Sequence, residues 1–410
     1  MKPLQGVRVL DMSRVLAGPW AGQVLADLGA DVIKVERPGS GDDTRGWGPP
    51  YLRDTDGRET DEAAYYLAAN RGKRSLALDI ATPEGRDIIR RLAADSDVLI
   101  ENFKAGGLKR HGLDYESLSA LNPSIVYCSI TGFGQSGPDA VRPGYDFVIQ
   151  AMAGLMSVTG PDTGVDAVPH KAGIAMADLA TGLYAVIAIL AALNERGRAD
   201  QAGRRRGRHI DMALFDASLG LMANQAMNYL IGDNVPGPSG NAHPNIVPYQ
   251  VFATLDGQMV LAAGNDGQFR AFARVAGRPG LADDARFATN RARVENRADI
   301  VPVLAGIMAC RTTSDWVSSL KAAGVPAGPV NALDAAFAEP SAVARGLRFD
   351  LPHPLSGAVP QVAPPLRLDG ELMHADMAPP LLGQHTDEIL SELGIDGSLR
   401  QSWRARGLIA

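Results

Sequence analysis

The 410-residue sequence has very few cysteines and no excess of basic residues. Cys128 and Cys310 are its only two cysteines, which excludes both a disulfide framework and a cysteine-based zinc site. The 40 Lys and Arg residues are outnumbered by 46 Asp and Glu residues, giving a net charge of −6. An acidic balance argues against nucleic acid or an anionic membrane surface as the main partner. We therefore predict a metal-free enzyme or binding protein.

Long hydrophobic segments are also scarce. The N-terminus leads directly into the apolar run 7–10, without the longer apolar core of a signal peptide. The longest apolar run, 179–193, is shorter than the roughly 20 residues that cross a bilayer, and it predicts a buried helix. The sequence thus predicts a soluble, cytoplasmic protein that has no membrane partner.

Short apolar runs alternate with helical patterns over residues 1–231. The predicted strands are 7–10, 32–35, 75–78, 98–100, 125–130 and 209–213. The helical patterns between and after them include 20–28, 82–94, 115–121 and 215–231. This alternation is typical of right-handed βαβ units, so we predict a doubly wound, Rossmann-like α/β domain with a parallel sheet.

A second, smaller unit follows a linker rich in Gly, Pro and Asn at 232–248. The runs 249–253 and 258–263 flank an Asp256-Gly257 turn, which is a hairpin signal. Helical patterns at 268–275, 298–310 and 314–323 complete this predicted α+β unit. A Pro-rich stretch at 352–365 then leads to a predicted C-terminal helix at 387–393.

The glycines 132, 134 and 137 match the dinucleotide fingerprint after a predicted strand. That fingerprint binds pyrophosphate only where a helix begins within it. Pro138 and Pro143 prevent a helix from starting in register, so we predict a Gly-rich turn instead of an NAD or FAD site.

Cationic side chains stand beside most of the predicted strands. In an open parallel sheet, ligands bind outside the carboxyl ends of the strands, and Arg side chains hold phosphate oxygens well. The set therefore indicates a polyanionic ligand such as a nucleotide with several phosphates, and simple surface charge remains the alternative for each member. The cations are Arg14, Arg37, Arg71, Lys73, Arg74, Lys104, Lys109, Arg110 and Arg142.

Asp178 stands at the head of the most apolar helical pattern. Two interpretations are open from its position alone. Aspartate is an ordinary N-cap residue, and a carboxylate beside an apolar helix can also be a reactive group.

The motifs together resemble the class III CoA-transferase family, also called the CaiB/BaiF type, over nearly the whole chain. Each motif is short, but their order along the chain is specific. They are Leu4-x-Gly6-Val7-Arg8-Val9-Leu10-Asp11, Ala17-Gly18-Pro19, Leu28-Gly29-Ala30-Asp31-Val32-Ile33-Lys34-Val35-Glu36, Lys73-Arg74-Ser75, Leu99-Ile100-Glu101-Asn102-Phe103, Ala177-Asp178 and Leu381-Leu382-Gly383-Gln384-His385-Thr386.

The resemblance implies a large CoA-binding domain built from 1–231 and 330–410, a small domain of 232–329, and an interlocked homodimer. It implies that Asp178 is the nucleophile and that acyl-CoA is a substrate, with no permanently bound cofactor and no metal. The residues that fall on or near the family's CoA contacts are Leu16, Ala17, Arg37, Leu78, Asn102, Phe103, Lys104, Arg110, Arg142 and Tyr145.

The choice of substrate rests on a narrower resemblance. The segments around His243 and Asn245 and around Gly264, Asn265 and Gln268 are similar to the branch that transfers CoA from succinyl-CoA to dicarboxylates. We expect the second segment to form a Gly-rich turn whose amides stabilise oxyanions. Formyl-CoA:oxalate and carnitine-type transfer remain alternatives.

The α-methylacyl-CoA racemases share the expected fold but carry a Gly-His-Asp motif. This chain has Gly144-Tyr145-Asp146 there, and tyrosine, with a pKa near 10, is a poor base for removing an α-proton at neutral pH. The sequence therefore favours a transferase over a racemase.

Overall fold

The structure, a computed structural model, describes residues 1–162, 168–197 and 206–410. It divides into two compact units. The first contains Met1–Leu155, Ala172–Met227 and Ser341–Ala410, and the second contains Met156–Lys171 and Asn228–Pro340. The predicted small domain, 232–329, omits Met156–Lys171. A hydrogen bond from the Gly240 amide to the Gly160 carbonyl, which no local pattern shows, ties that segment to the second unit.

The first part of the chain alternates strands and helices, as predicted. Its elements are β1 (Arg8–Asp11), α1 (Ala17–Asp27), β2 (Asp31–Glu36), β3 (Tyr51–Arg53), β4 (Glu59–Ala63), α2 (Ala64–Leu67), β5 (Lys73–Ala77), α3 (Pro83–Ala94), β6 (Val98–Glu101), α4 (Tyr115–Leu121), β7 (Val126–Thr131), α5 (Asp146–Met152), α6 (Met176–Arg196), β8 (Arg208–Ala213), α7 (Leu214–Gly220) and α8 (Ala223–Gly232). The predicted helix 215–231 is divided in two where Ala223 has φ +39°.

Six of these strands form one parallel sheet in the order β5-β2-β1-β6-β7-β8. The chain moves outward from β1 through β2 to β5 and then returns to the other side of β1 with β6. The carboxyl ends of β1 and β6 therefore lie at the switch point of a doubly wound sheet, where ligands bind in such folds. Apolar side chains from these strands are buried on both faces of the sheet.

Helix α6 is longer than the apolar run that predicted it. It has 21 residues, and it is the helix of the described residues that is long and apolar enough to cross a membrane by length and composition. The apolar run 179–193 is itself too short to span a bilayer, whereas the whole helix reaches that length. The predicted burial holds for about half of the helix, where α6 lies against α1 and the sheet core. Gly182 allows this contact, since a Cβ there would lie 2.6 Å from the Ala17 carbonyl oxygen.

The second unit is built on a three-stranded antiparallel sheet covered by helices, whose strands in spatial order are Ala327–Pro329, Gln258–Ala262 and Tyr249–Ala253. Its core contains Phe252, Phe269, Phe272 and Trp316, and the predicted hairpin pairs Tyr249–Ala253 with Gln258–Ala262. The elements of this part are β9 (Tyr249–Ala253), β10 (Gln258–Ala262), α9 (Asp266–Val275), α10 (Asn290–Glu295), α11 (Arg297–Met308), α12 (Thr313–Ala322), β11 (Ala327–Pro329), α13 (Leu333–Ala338) and α14 (Pro340–Ala344).

The C-terminal segment returns to the first unit. The proline-rich stretch 352–365 lies partly in an antiparallel hairpin of Arg348–His353 and Gly357–Val362, whose pairing includes Pro352 and Pro360. Beyond it, the His385 amide and ring bond to the Ser75 backbone on β5. The elements are β12 (Arg348–His353), β13 (Gly357–Val362), β14 (Arg367–Leu368), β15 (Glu371–Leu372), α15 (Thr386–Glu392) and α16 (Gly397–Ala405).

Candidate active site

A cavity of about 630 Å³ lies at the carboxyl ends of β1, β6 and β7, in the first unit. Its wall contains Asp178, from α6, together with eight of the ten residues that the family resemblance assigned to CoA. Those eight are Leu16, Ala17, Asn102, Phe103, Lys104, Arg110, Arg142 and Tyr145.

A second cavity of about 430 Å³ contains the other two, Arg37 and Leu78. The two cavities share wall residues and are therefore adjacent. The shared residues are Arg14, Asp43, Phe103, Arg110 and His111. All ten predicted CoA residues thus lie along one continuous surface that also includes Asp178.

Asp178 is not the N-cap of α6, so the N-cap interpretation was wrong. The helix begins at Met176, and its cap position, Ala175, makes no side-chain hydrogen bond. The capping acceptor comes instead from α5, where Asp146 Oδ1 accepts from the amides of Ala177 (2.8 Å) and Asp178 (3.3 Å). The Asp178 carboxylate therefore does not use the amides that would otherwise stabilise its charge.

Burial and, to a smaller extent, the negative charge of Asp146 together raise the pKa of Asp178 to about 7. Among the residues that the structure describes, no cation lowers the pKa of Asp178. Because its pKa lies close to neutral pH, Asp178 carries a carboxylate that is poorly solvated and more basic than an ordinary aspartate.

Two glycines bring Asp146 to this position. A Cβ on Gly132 would lie 2.7 Å from the Gly144 Cα, so the end of β7 and the loop before α5 touch backbone to backbone. Gln150 then donates to Asp146 Oδ2 (2.7 Å) and accepts from the Ala172 amide (2.9 Å). The predicted Gly-rich turn is confirmed, since no helix begins in the described segment between the end of β7 at Thr131 and the start of α5 at Asp146.

Three of the cations at the predicted strands do not belong to this surface. Arg71, Lys73 and Arg74 lie at the opposite edge of the sheet, at the start of β5, and each is paired with acidic side chains of the fold. Lys73 is fully buried and bonds to Asp11 Oδ2 at 2.8 Å. For these three, the expectation of a phosphate ligand was wrong.

Five of the remaining cations line the two cavities, namely Arg14, Arg37, Lys104, Arg110 and Arg142, whereas Lys109 lines neither. Arg37 and Lys104 have no ion pair within the described ranges, and Arg110 donates to the His111 ring. Arg14 pairs with Asp43 at 2.9 Å, and Arg142 stands 3.8 Å from Asp139. These pairs are exposed and weak, so the groups can exchange them for an anionic ligand.

The predicted acceptor residues all lie in the second unit, outside both cavities. His243 Nδ1 accepts from the Asn245 amide, and its ring contacts Tyr249. The predicted Gly-rich turn at Gly264 is instead the start of α9, because Asn265 caps that helix by accepting from the Gln268 amide at 2.9 Å. Gln268 Oε1 in turn accepts from the Gly264 amide.

Sequence reasoning missed two groups near Asp178. Asp146 was noted only as part of a racemase comparison, although a Gly-x-Asp sequence at a helix start could have indicated its capping role. Tyr65 is close enough for the charges of Asp178 and Asp146 to raise its pKa, in addition to the effect of burial. Tyr65 lies in a helical turn that no periodicity indicated. Within the described residues, no cluster of His, Cys, Asp or Glu could hold a metal ion.

A parallel sheet with a largely buried acid of raised pKa in a cavity at its switch point is typical of an α/β enzyme. The model of CoA-transferase family III matches residues 4–386. The chain is 50% identical over 391 residues to a succinate–glutarate CoA-transferase of Agrobacterium fabrum, covering 95% of this chain and 96% of that protein. The chain therefore belongs to CoA-transferase family III, and it is a transferase that uses CoA thioesters.

Two further comparisons agree. The chain is 44% identical over 393 residues to the succinyl-CoA:glutarate CoA-transferase of Homo sapiens, covering 96% of this chain and 86% of that protein. A crystal structure of a CAIB/BAIF family protein from Brucella suis is 50% identical, with a TM-score of 0.82 over 96% of this chain and 99% of that one. The family and the parallel α/β fold predicted from the sequence are confirmed.

Proposed function

We propose that this transferase moves CoA from succinyl-CoA to glutarate or a related short dicarboxylate, through a thioester on Asp178. The similarity to two succinyl-CoA:glutarate transferases over nearly the whole chain is the observation that carries the choice of substrates. The position of Asp178 in the same cavity wall as eight of the ten predicted CoA residues supports the choice of nucleophile.

The reaction balances with Asp178 as its only covalent group. The carboxylate attacks the succinyl thioester carbonyl, the C–S bond breaks, and CoA leaves as thiolate from a mixed anhydride. The thiolate then attacks the aspartyl carbonyl, which releases succinate and leaves an aspartyl-CoA thioester. The acceptor carboxylate repeats these two steps in reverse order, so the products are the new acyl-CoA and the free Asp178 carboxylate.

The electrostatics of the site favour this chemistry. An ordinary aspartate is a weak nucleophile, since its carboxylate is well solvated and its pKa is near 3.9. Burial and the neighbouring Asp146 raise the pKa of Asp178 to about 7, so the ionised carboxylate is more basic than that of an ordinary aspartate. In the proposed complex, the exposed Arg37 and Arg110 side chains meet the CoA phosphates.

We assign acceptor recognition to the second unit, with His243, Asn245, Gly264, Asn265 and Gln268 as the candidate residues. The dicarboxylate specificity of the relatives supports a polar site for a second carboxylate. The Asn265-capped start of α9 supplies amides, and Asp266, in its first turn, is held by Arg293 at 2.9 Å.

We also propose a cytoplasmic homodimer in which the two copies interlock. Helix α6 exposes Leu183, Tyr184 and Ile187, which share one face, and α8 has no buried residue although it is largely apolar. An apolar surface of this extent is typical of an obligate interface. The test is sedimentation of the native protein and of the Ile187→Asp variant. A native dimer and a monomeric variant would support the proposed homodimer.

The test of the reaction is a panel of acceptors and donors. Glutarate, succinate, itaconate, hydroxymethylglutarate, malate, oxalate and carnitine are each assayed with succinyl-, acetyl- and formyl-CoA. We expect the largest kcat/KM with succinyl-CoA and glutarate or a similar dicarboxylate. A preference for oxalate with formyl-CoA, or for carnitine, would refute the dicarboxylate assignment, and exchange of the α-proton of a 2-methylacyl-CoA without transfer would indicate a racemase.

The test of the nucleophile uses succinyl-CoA without acceptor. Hydroxylamine should then inactivate the native enzyme, and mass spectrometry should locate the hydroxamate at Asp178. Asp178→Asn should abolish transfer and trapping. Asp216→Asn is the matched control, because Asp216 is also in the first turn of a helix in the same unit but outside both cavities. Normal turnover by Asp178→Asn would contradict the mechanism.

A further inference from the structure

The turn between β1 and α1 contains a strained residue. Val15 has φ +72°, in the left-handed region. A β-branched side chain is a true outlier there, because its Cβ crowds the neighbouring carbonyl oxygen. Strain of this kind persists only where surrounding groups hold it, and it is concentrated at functional sites. Val15 lines the 630 Å³ cavity that contains Asp178, so the strained residue is part of the wall of the candidate active site.

Two side chains hold the backbone on either side of this strain. Asn102, which follows β6, accepts from the Arg14 amide at 2.9 Å and donates to the Arg14 carbonyl at 2.7 Å. Asp42 Oδ1 accepts from the Val15 amide at 3.1 Å. Asn102 was predicted as a CoA contact, but both ends of its side-chain amide are already engaged by the protein backbone.

A buried ion pair between Lys34 and Asp42 also holds this turn. Lys34, on β2, donates to Asp42 Oδ2 at 2.8 Å and to the Ser13 carbonyl at 3.0 Å, and both charged side chains are almost fully buried. Asp11, at the end of β1, accepts from the Ser13 amide at 3.0 Å. Side chains from β1, β2 and the loops after β2 and β6 thus hold the turn from Ser13 to Val15.

The turn decides where α1 begins. Leu16 is its cap position, without a side-chain hydrogen bond, and Ala17 is its first residue. Both line the cavity of Asp178. We propose that Asn102 and Asp42 are positioning residues for CoA transfer, which hold the turn at Val15 in its left-handed conformation and thereby place Leu16 and Ala17 in the cavity wall. This role rests on the proposed function, because CoA transfer is the reaction that the wall serves.

A double-mutant cycle with glycine tests the role. Glycine adopts the left-handed conformation without strain, so Val15→Gly removes the need for a clamp. Asn102→Ala should lower kcat/KM for succinyl-CoA by about 100-fold, the loss expected for a misplacement of about 1 Å. In the Val15→Gly background, Asn102→Ala should lower kcat/KM for succinyl-CoA by about tenfold or less. Asn102→Asp, which keeps the acceptor for the Arg14 amide but loses the donor, should give an intermediate loss.

The single variants Val15→Gly and Asn102→Ala and the double variant are also compared by their CoA affinity and their melting temperature. A purely structural role would lower the melting temperature of Asn102→Ala without coupling in kcat/KM to position 15. Asp369 is the matched control, because it also has positive φ (+51°) but lies in the turn between β14 and β15, outside both cavities. Asp369→Gly should leave the loss caused by Asn102→Ala unchanged.

Asn102→Ala could lower kcat/KM equally in the native and the Val15→Gly backgrounds, while the native enzyme binds and transfers CoA. That result would overturn the positioning role but not the proposed function. A native enzyme that binds no CoA would overturn the proposed function itself. Asp42→Asn is the second probe and should show the same coupling to Val15→Gly. If loss of the partner of buried Lys34 unfolds that variant, the Asn102 cycle decides the question.

Discussion

Asp146 takes the helix-terminal amides that Asp178 would otherwise use. Its Oδ1 accepts from the amides of Ala177 and Asp178, while its negative charge adds to burial in raising the pKa of Asp178 to about 7. One side chain therefore removes a source of stabilisation for the Asp178 carboxylate and adds a source of repulsion. This arrangement leaves Asp178 more basic than its place at a helix N-terminus suggests.

The first prediction concerns the pH dependence of transfer. Because the ionised carboxylate attacks, kcat/KM should rise about tenfold per pH unit up to pH of about 7 and then level off. Asp146→Asn keeps an acceptor for the Ala177 amide but removes the charge, so the pKa of Asp178 should fall and the acidic limb should move to lower pH. Asp216→Asn should leave the limb in place. An unmoved limb in Asp146→Asn would show that Asp146 does not influence the nucleophile.

The second prediction concerns CoA affinity. Arg37→Ala and Arg110→Ala should each weaken CoA binding by about 1.5–3 kcal/mol, the range for hydrogen bonds to charged groups, and the KM of the acceptor should change less. Arg58→Ala is the control, because its guanidinium is exposed, pairs with Asp54 and Asp56, and lies outside both cavities. Calorimetry with free CoA measures the effect. If both variants bind CoA as tightly as the control does, the two arginines are surface charges that do not bind CoA.

The third prediction separates a structural cation from the ligand-binding ones. Lys73→Met leaves the fully buried Asp11 carboxylate without its 2.8 Å partner, so the free energy of unfolding should fall by about 3–5 kcal/mol. Denaturant unfolding measures this loss. CoA affinity of the folded fraction should stay close to that of the native protein, whereas Arg110→Ala should show the opposite pattern. A stable Lys73→Met variant that fails to bind CoA would restore Lys73 as a ligand group.

The fourth prediction uses Glu101, the last residue of β6. Its carboxylate accepts from the Phe103 amide at 2.7 Å, yet burial raises its pKa to about 7. The unfolded chain loses this proton near pH 4.5, so between pH 4.5 and 7 the folded state binds more protons and stability falls as pH rises. The difference of about 2.5 pKa units corresponds to about 3 kcal/mol as an upper limit.

Glu101→Gln keeps the acceptor for the Phe103 amide and removes the ionisation. Denaturant unfolding at pH 5 and pH 8 gives the free energy of unfolding of the variant and of the native protein. The difference, variant minus native, should be more positive at pH 8 than at pH 5. The exposed Glu59→Gln is the control and should show little difference between the two pH values. A pH-independent effect of Glu101→Gln would mean that Glu101 is not the source of the predicted slope.

The sequence alone determined the elements of the large sheet and the identity of the nucleophile candidate. The predicted strands agree with β1, β2, β5, β6, β7 and β8 to within a few residues, and helix α4 has the predicted bounds. These features depend on local period and on caps such as Thr82, which accepts from the Gly85 amide. Motif order along the chain was likewise readable, and the family match confirms it.

Only the tertiary structure decided which charged groups meet. Arg37 follows the end of β2, whereas Lys73 and Arg74 lie at the start of β5. Because the two strands are parallel, these two residues lie at the opposite edge of the sheet from Arg37. The capping of α6 by Asp146 depends on contacts about 30 residues apart in sequence, and the strain at Val15 depends on Asn102, 88 residues from Arg14. Hydrophobic period fixes which residues form an element, whereas these contacts form only when the parallel sheet aligns the carboxyl ends of distant strands.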